Sequence, residues 1–184
     1  MKRVASLLII SLFCLVGIFA QDTEKKTTSY DLFISQSGKI IRFLDYKLPP
    51  LKGSYSIYNN RVRVLTAGET TTYYYQIVNT GKYGDTTGSI TENDLIEMIK
   101  AIEALLTTYA IDKKSTFDYM ENKFLTEDNV GFGYYISGKD SAWYVNLGRG
   151  SSDSSCFFSN GETIKNGFTT ALDKIKERKS IEGN

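Results

Sequence analysis

Aromatic side chains are the residues of this sequence best suited to binding a ligand. They make up 13% of the 184 residues, and one group falls on three predicted strands: Tyr73, Tyr74, Tyr75, Tyr134, Tyr135, Trp143 and Tyr144. Because neighbouring residues of a strand face opposite sides of a sheet, part of this group is expected on an open face. Exposed rings can stack on sugar rings, on nucleic-acid bases or on apolar side chains of a partner. The alternative is that helices cover them.

A second candidate site is the glycine- and serine-rich segment 147–155, LGRGSSDSS. Its backbone amides can converge on an anion, to which Arg149 would add positive charge. The segment lacks the lysine and the spacing of a P-loop, so nucleotide binding is not indicated. The alternative is a plain hairpin loop. From both features together, the predicted ligand-binding residues are Tyr73, Tyr75, Trp143, Tyr144 and Arg149.

Catalytic and metal chemistry find little support in the residue types present. Histidine is absent, which excludes imidazole-based triads, imidazole acid–base steps and histidine-containing zinc sites. No acidic calcium-loop motif occurs, and neither a metal nor a cofactor is predicted. Cys156 lies in the apolar run 155–158 and is expected to be buried rather than reactive. A hydrolase that uses two carboxylates stays open as an alternative, and it requires two acids in one pocket.

The first twenty residues have the order of a secretory signal peptide. Lys2 and Arg3 precede an apolar run from Val4 to Phe19, and Ala20 stands directly before a polar segment. A positive start, an apolar stretch and a small final residue are typical of such a signal. The run of about 16 residues is shorter than the roughly 20 that a membrane-spanning helix needs. Cleavage after Ala20 and a secreted or periplasmic location are therefore predicted.

Cleavage would change both the charge and the cysteine content. Loss of Lys2 and Arg3 leaves 20 of the 22 basic side chains against 21 acidic ones. This balance gives no electrostatic reason to expect binding to nucleic acid or to an anionic membrane. Loss of Cys14 leaves Cys156 without an intrachain partner, so the hydrophobic core has to hold the domain together.

The first half of the remaining chain reads as strands followed by a helix. Residues 21–29 are polar and are predicted to form a flexible tail. The segments 30–35 and 39–46 are predicted to pair as a hairpin. The segments 55–58 and 61–65 form either a second hairpin around two asparagines or one bent strand.

The clearest elements of this half follow. Thr70 to Val78 is rich in β-branched and aromatic residues, which favours a strand. Apolar residues at three-and-four spacing predict a helix from Thr91 to Tyr109, with Thr91 and Asp94 at capping-box spacing.

The second half repeats this order. Strands are predicted at 117–125, 130–137, 142–147 and 154–158, and a helix at 161–179 with Ser159 and Glu162 as its capping box. Gly131 and Gly133 indicate a place where another element packs close to the backbone. The predicted fold class is α+β, with antiparallel sheets and two helices in a β4α-β4α tandem. Residues 30–184 form one domain whose halves cover about 30–110 and 117–179.

Two resemblances follow from these features. The order of four strands and then a helix, over residues 30–179, resembles that of single-stranded-DNA-binding transcriptional regulators of the positive cofactor 4 and Whirly type. Those proteins are intracellular and use basic sheet faces, whereas this chain has an export signal and a neutral balance, so their function does not transfer. The short signal that ends in Ala20-Gln21 resembles those of small exported bacterial proteins, which implies location rather than activity.

The sequence thus leaves three functional hypotheses. The first is a non-enzymatic exported domain that binds a macromolecule or a glycan through a sheet face. The second is the carboxylate-based hydrolase. The third is a structural or assembly protein, for which strand edges in an open sheet make self-association possible.

Overall fold

Two antiparallel sheets, each followed by a long helix, make up the fold. The structure, a computed structural model, describes residues 27–82, 84–148 and 154–182. Its elements follow one another as α1 (Ser29–Ile34), β1 (Ile41–Lys47), β2 (Leu51–Lys52), β3 (Ile57–Ala67), β4 (Thr70–Gly81), β5 (Gly84–Thr91), α2 (Glu92–Asp112), β6 (Met120–Leu125), β7 (Gly131–Ser137), β8 (Asp140–Asn146), β9 (Ser155–Phe158) and α3 (Gly161–Glu182). The fold class is α+β, as the sequence predicts, and four main strands followed by a long helix occur twice.

The two sheets differ in strand order. The first sheet is arranged β1-β3-β4-β5, and the short β2 pairs with the beginning of β3. The second sheet is a meander, β6-β7-β8-β9, in chain order. In the first sheet Val62 pairs with Tyr75 and Val64 with Tyr73, and all four side chains are buried on the side that faces the helices.

Helices α2 and α3 join the two sheets through one core. They pack against each other; α2 also contacts strands of both sheets, and α3 contacts β2, β3, β4 and β9. The largest fully buried side chains come from both halves of the chain: Trp143, Tyr75, Tyr134, Phe132, Phe158 and Phe168. Burial of this apolar surface is the main stabilising contribution. Within the described ranges, none of the helices combines the length and the apolar character of a bilayer-spanning segment.

Several sequence predictions are confirmed in detail. The first long helix begins after Thr91, whose Oγ1 accepts a hydrogen bond from the backbone N–H of Asp94 at 3.1 Å. Each of the four strands predicted in the second half is present, with its ends shifted by up to three residues. Cys156 is fully buried.

The predicted hairpin of 30–35 with 39–46 is wrong. Residues 29–34 form α1, because Thr28 and Asp31 make a reciprocal capping box: the Thr28 side chain accepts from the Asp31 N–H and the Asp31 side chain from the Thr28 N–H. A cap of this kind satisfies amides that would otherwise be unpaired and favours a helical first turn. The strand predicted at 39–46 exists as β1, but its partner is β3.

One alternative that the sequence left open is decided, and one local prediction is wrong. Residues 57–67 form one strand rather than a hairpin, and Asn60 is a buried strand residue whose side chain donates to the Pro49 carbonyl at 2.8 Å. The N-cap of α3 is Asn160 rather than Ser159, since Asn160 Oδ1 accepts from the Thr163 N–H at 2.9 Å. The Ser159 hydroxyl instead lies 3.2 Å from that of Ser54.

Candidate functional site

The outer face of the second sheet, opposite the helices, forms a groove of about 470 Å³. The alternation of β7 creates it, because Phe132, Tyr134 and Ile136 point into the core and Gly131, Gly133 and Tyr135 point outward. Neighbouring strands add Tyr144, Phe157, Glu121, Lys123 and Leu125 to this surface. We call this surface the aromatic groove. Its main lining residues are Glu121, Lys123, Leu125, Gly131, Tyr135, Tyr144 and Phe157.

Strand register sets the residues of the aromatic groove in rows. One row crosses all four strands through Lys123, Gly133, Tyr144 and Phe157. Outward-facing residues that pair directly in an antiparallel sheet have side chains roughly 5 Å apart. Tyr144 and Phe157 are therefore neighbours on the outer face of the sheet, and Gly133, on the other side of Tyr144, has no side chain.

The two glycines give the groove its depth. A Cβ atom on Gly133 would lie 2.2 Å from the Asn122 carbonyl oxygen, and one on Gly131 would lie 2.6 Å from that of Phe124. Both distances are too short for a side chain to fit unless the β6 backbone moves. This confirms the close approach that the sequence predicts at these glycines, and it makes backbone rather than side chains the floor of the groove.

Polar groups line the rim of the aromatic groove. The Tyr144 hydroxyl donates to Glu121 Oε1, and Lys123 Nζ lies 3.9 Å from Glu121 Oε2. Burial and then the Glu121 hydrogen bond raise the pKa of Tyr144 above its usual value, so Tyr144 stays a neutral hydroxyl at physiological pH. Beside the groove, the ring of Tyr119 stacks on Tyr135 with centroids 6.3 Å apart.

The structure places the five predicted binding residues in different surroundings. Tyr75 and Trp143 are 0% and 1% exposed, and Tyr73 is 8% exposed. Trp143 packs edge-on against Tyr109, and the Tyr73 hydroxyl donates to Glu182 at 2.5 Å. These three rings lie on helix-facing sides of the sheets, Tyr144 lines the aromatic groove, and Arg149 lies outside the described residues.

Sequence reasoning missed Tyr135, Phe157, Glu121 and Lys123 as groove residues. The signal for Tyr135 was present, since it alternates out of phase with the apolar residues 130, 132, 134 and 136. Phe157 has the same relation to Cys156 and Phe158. Their proximity to Tyr144, however, depends on strand register, which the sequence does not contain.

A second cavity, of about 390 Å³, lies on the outer face of the first sheet beneath α1. Its side chains are mostly polar, and we call it the polar cavity, lined by Thr28, Tyr30, Asp31, Arg61, Arg63, Gln76, Thr86, Thr87, Ser89, Asp128, Asn129, Val130, Leu147 and Gly148. Asn129 and Gly148 also line the aromatic groove, so the two depressions adjoin.

The polar cavity is held open by a network of hydrogen bonds. Gln76 is 1% exposed; its Oε1 accepts from Arg61 Nε and its Nε2 donates to Ser89 Oγ, each at 2.8 Å. Arg63 forms two 2.6 Å bonds to Asp45 and a 2.9 Å bond to the Tyr30 hydroxyl. The Arg63 hydrogen bond holds the pKa of Asp45 below its usual range.

Two carboxylates line the polar cavity, and both stabilise α1. Asp128 accepts from the Ser29 N–H at 3.0 Å and from the Ser29 hydroxyl at 2.5 Å. Asp31 accepts from the Thr28 N–H at 3.5 Å within the capping box. In the part of the chain that the structure describes, no group of three or more acidic or cysteine side chains is arranged to hold a metal ion.

Comparison with known proteins finds no relative of this chain. No protein-family model, curated protein or solved structure matches this chain.

Proposed function

We propose that this protein is a non-catalytic, exported binding module that holds a glycan chain in the aromatic groove. The observation that carries the proposal is that Tyr144 and Phe157, which pair across neighbouring strands, both line the groove, with Glu121 and Lys123 at its rim. Sugar rings have apolar faces that stack on aromatic side chains and hydroxyls that bond to polar groups. A groove with aromatic walls and a few polar groups matches both requirements.

The charge of the groove favours a glycan over a nucleic acid. Its described lining contains one cation, Lys123, and one anion, Glu121, which lie 3.9 Å apart. Nucleic-acid binding depends on several cations that neutralise phosphates. Here a single lysine is already compensated by a carboxylate.

The hydrolase hypothesis has a specific observation in its favour, since Asp31 and Asp128 line the same cavity. Both carboxylates, however, accept hydrogen bonds from the first residues of α1 or its cap. A glycosidase needs one carboxyl group to deliver a proton and a second to attack or activate water. Acids already engaged in capping a helix support binding better than hydrolysis.

The first test is isothermal titration of the protein with hexasaccharides of cellulose, xylan, starch, chitin and polygalacturonate. We expect at least one to bind wild type and Tyr144→Phe, which keeps the ring. Tyr144→Ala should weaken that binding roughly tenfold, the loss of about 1–1.5 kcal/mol of ring stacking. The matched control is Phe117→Ala, because Phe117 is an exposed ring, 37% exposed, that lines neither the aromatic groove nor the polar cavity.

Three outcomes would count against the proposal. Absence of binding to every hexasaccharide would remove the glycan function. Equal losses in Tyr144→Ala and Phe117→Ala would show that the glycan does not bind in the aromatic groove. Release of new reducing ends from a bound hexasaccharide would show a hydrolase instead.

A further inference from the structure

The polar cavity carries hydrogen-bonding groups of both kinds and charges of both signs. Arg61 and Arg63 supply donors, and Asp31 and Asp128 supply acceptors, while hydroxyls of Thr86, Thr87 and Ser89 can do either. Asp45 neutralises Arg63 through two hydrogen bonds of 2.6 Å and lies 3.5 Å from Arg61. A phosphate or an ammonium group would meet a like charge in this cavity. The uncharged hydroxyl groups of a ligand would meet no such repulsion.

Arg61 is the residue of the polar cavity best placed to contact a ligand. Its Nε donates to the buried Gln76, which fixes the plane of the guanidinium group. This bond uses Nε and does not involve the two terminal nitrogens of Arg61. A guanidinium fixed in this way offers a pair of parallel donors, which fit two neighbouring oxygens.

The polar cavity and the aromatic groove adjoin at two shared lining residues. Asn129 and Gly148 line both, and Asn129 has a positive φ of 63°. Few residues other than glycine adopt this conformation, and asparagine is one of them. The tight turn before β7 therefore lies where the two depressions meet.

We infer that the aromatic groove and the polar cavity form one two-part site for an uncharged oligosaccharide. One end of the oligosaccharide enters the polar cavity and contacts Arg61 through vicinal hydroxyls. The sugar rings that follow stack on Tyr144 and Phe157. This inference rests on the proposed function and adds to it a ligand class, neutral sugars, and a second contact region.

The test compares short and long sugars against three variants. Wild type and variants are titrated with mono-, di-, tetra- and hexasaccharides of cellulose, xylan, starch and chitin, and with hexagalacturonate. Arg61→Gln removes the charge, and Arg61→Lys keeps the charge but loses the paired donors. Arg42→Gln is the matched control, because Arg42 is an exposed residue of β1 outside both depressions. Thermal melts by circular dichroism confirm that each variant is folded.

The expected result has three parts. Affinity rises with chain length, and a neutral hexasaccharide binds more tightly than hexagalacturonate. Arg61→Gln and Arg61→Lys both weaken hexasaccharide binding roughly tenfold, the cost of lost hydrogen bonds to a charged group. Arg42→Gln leaves it unchanged.

The outcomes separate this inference from the proposed function. If a hexasaccharide binds and Tyr144→Ala weakens it while both Arg61 variants match the control, the glycan function stands and the two-part site is overturned. Preference for hexagalacturonate, or recovery of full binding in Arg61→Lys alone, overturns the neutral ligand class. If no sugar binds, the proposed function and this inference fail together.

Discussion

At the scale of single residues, the Cys156 thiol is enclosed by apolar neighbours. Cys156 is fully buried, and it pairs across the sheet with Val145, which is fully buried too. Burial disfavours the charged thiolate, and it raises the pKa of Cys156 from 9.0 to about 12. The residue therefore acts as a small hydrophobic side chain of the core.

This raised pKa predicts a loss of stability in alkali. The folded state binds the thiol proton more tightly than the unfolded state. The contribution of this proton to the free energy of unfolding is therefore complete below pH 9 and is lost between about pH 9 and 12. Relative to Cys156→Ala, the free energy of unfolding of wild type should fall by up to about 1.4 kcal/mol per pH unit in that window. Urea unfolding at several pH values measures the difference.

Comparison with Cys156→Ala separates the thiol from other groups that titrate in alkali, such as buried tyrosines. The variant has a smaller side chain, so its stability should be lower at all pH values. Plots of the free energy of unfolding against pH for wild type and Cys156→Ala should run parallel between pH 6 and 8. Parallel curves up to pH 12 would contradict the prediction.

Trp143 and Tyr144 show how far the sequence predicts individual site residues. Strand alternation requires these neighbours to face opposite sides, and they do: Trp143 is in the core and Tyr144 is in the aromatic groove. The sequence does not say which side the helices cover, so either ring could have been the exposed one. Tyr73 and Tyr75 are two residues apart on β4, so they face the same side of the sheet. Both are buried on the side that faces the helices.

At the scale of elements, local capping signals decide where helices begin. The Thr28 and Asp31 pair caps α1 in a segment whose composition predicts a strand. This capping box has the same spacing as the one recognised at Thr91, but α1 is only 6 residues long and lacks an apolar periodicity. Its position is set by tertiary contacts, such as the Ser29 bonds to Asp128, which no local pattern contains.

The start of α3 gives a test that separates two candidate caps. Asn160→Ala removes the hydrogen bond to the Thr163 N–H, and the loss of an N-cap should lower the free energy of unfolding by about 1 kcal/mol. Ser159→Ala should change it by less than about 0.5 kcal/mol, as is usual for surface positions. Chemical denaturation of both variants and wild type measures these values. A larger effect at Ser159 than at Asn160 would restore the cap that the sequence predicts.

At the scale of the whole molecule, element order was predictable and the packing was not. Each long helix and most strands have their own periodic pattern, so the α+β class and the repeated order follow from local sequence. The pairing of β1 with β3 and the shared core depend on contacts between distant residues. The resemblance to Whirly-type regulators concerns element order alone, and it stays a prediction.

Location is also a property of the whole molecule, and the signal peptide proposed at residues 1–20 predicts export. The full chain with a C-terminal tag, produced in a Gram-negative bacterial host, should be processed after Ala20 because a small residue there fits the signal peptidase. Intact-mass measurement of the periplasmic fraction should find a product that begins at Gln21. Ala20→Phe should block processing, whereas the same change at Ala5, inside the apolar run, should not. A soluble product that retains Met1 would contradict export, and it would place the aromatic groove in the cytoplasm, among different glycans and partners.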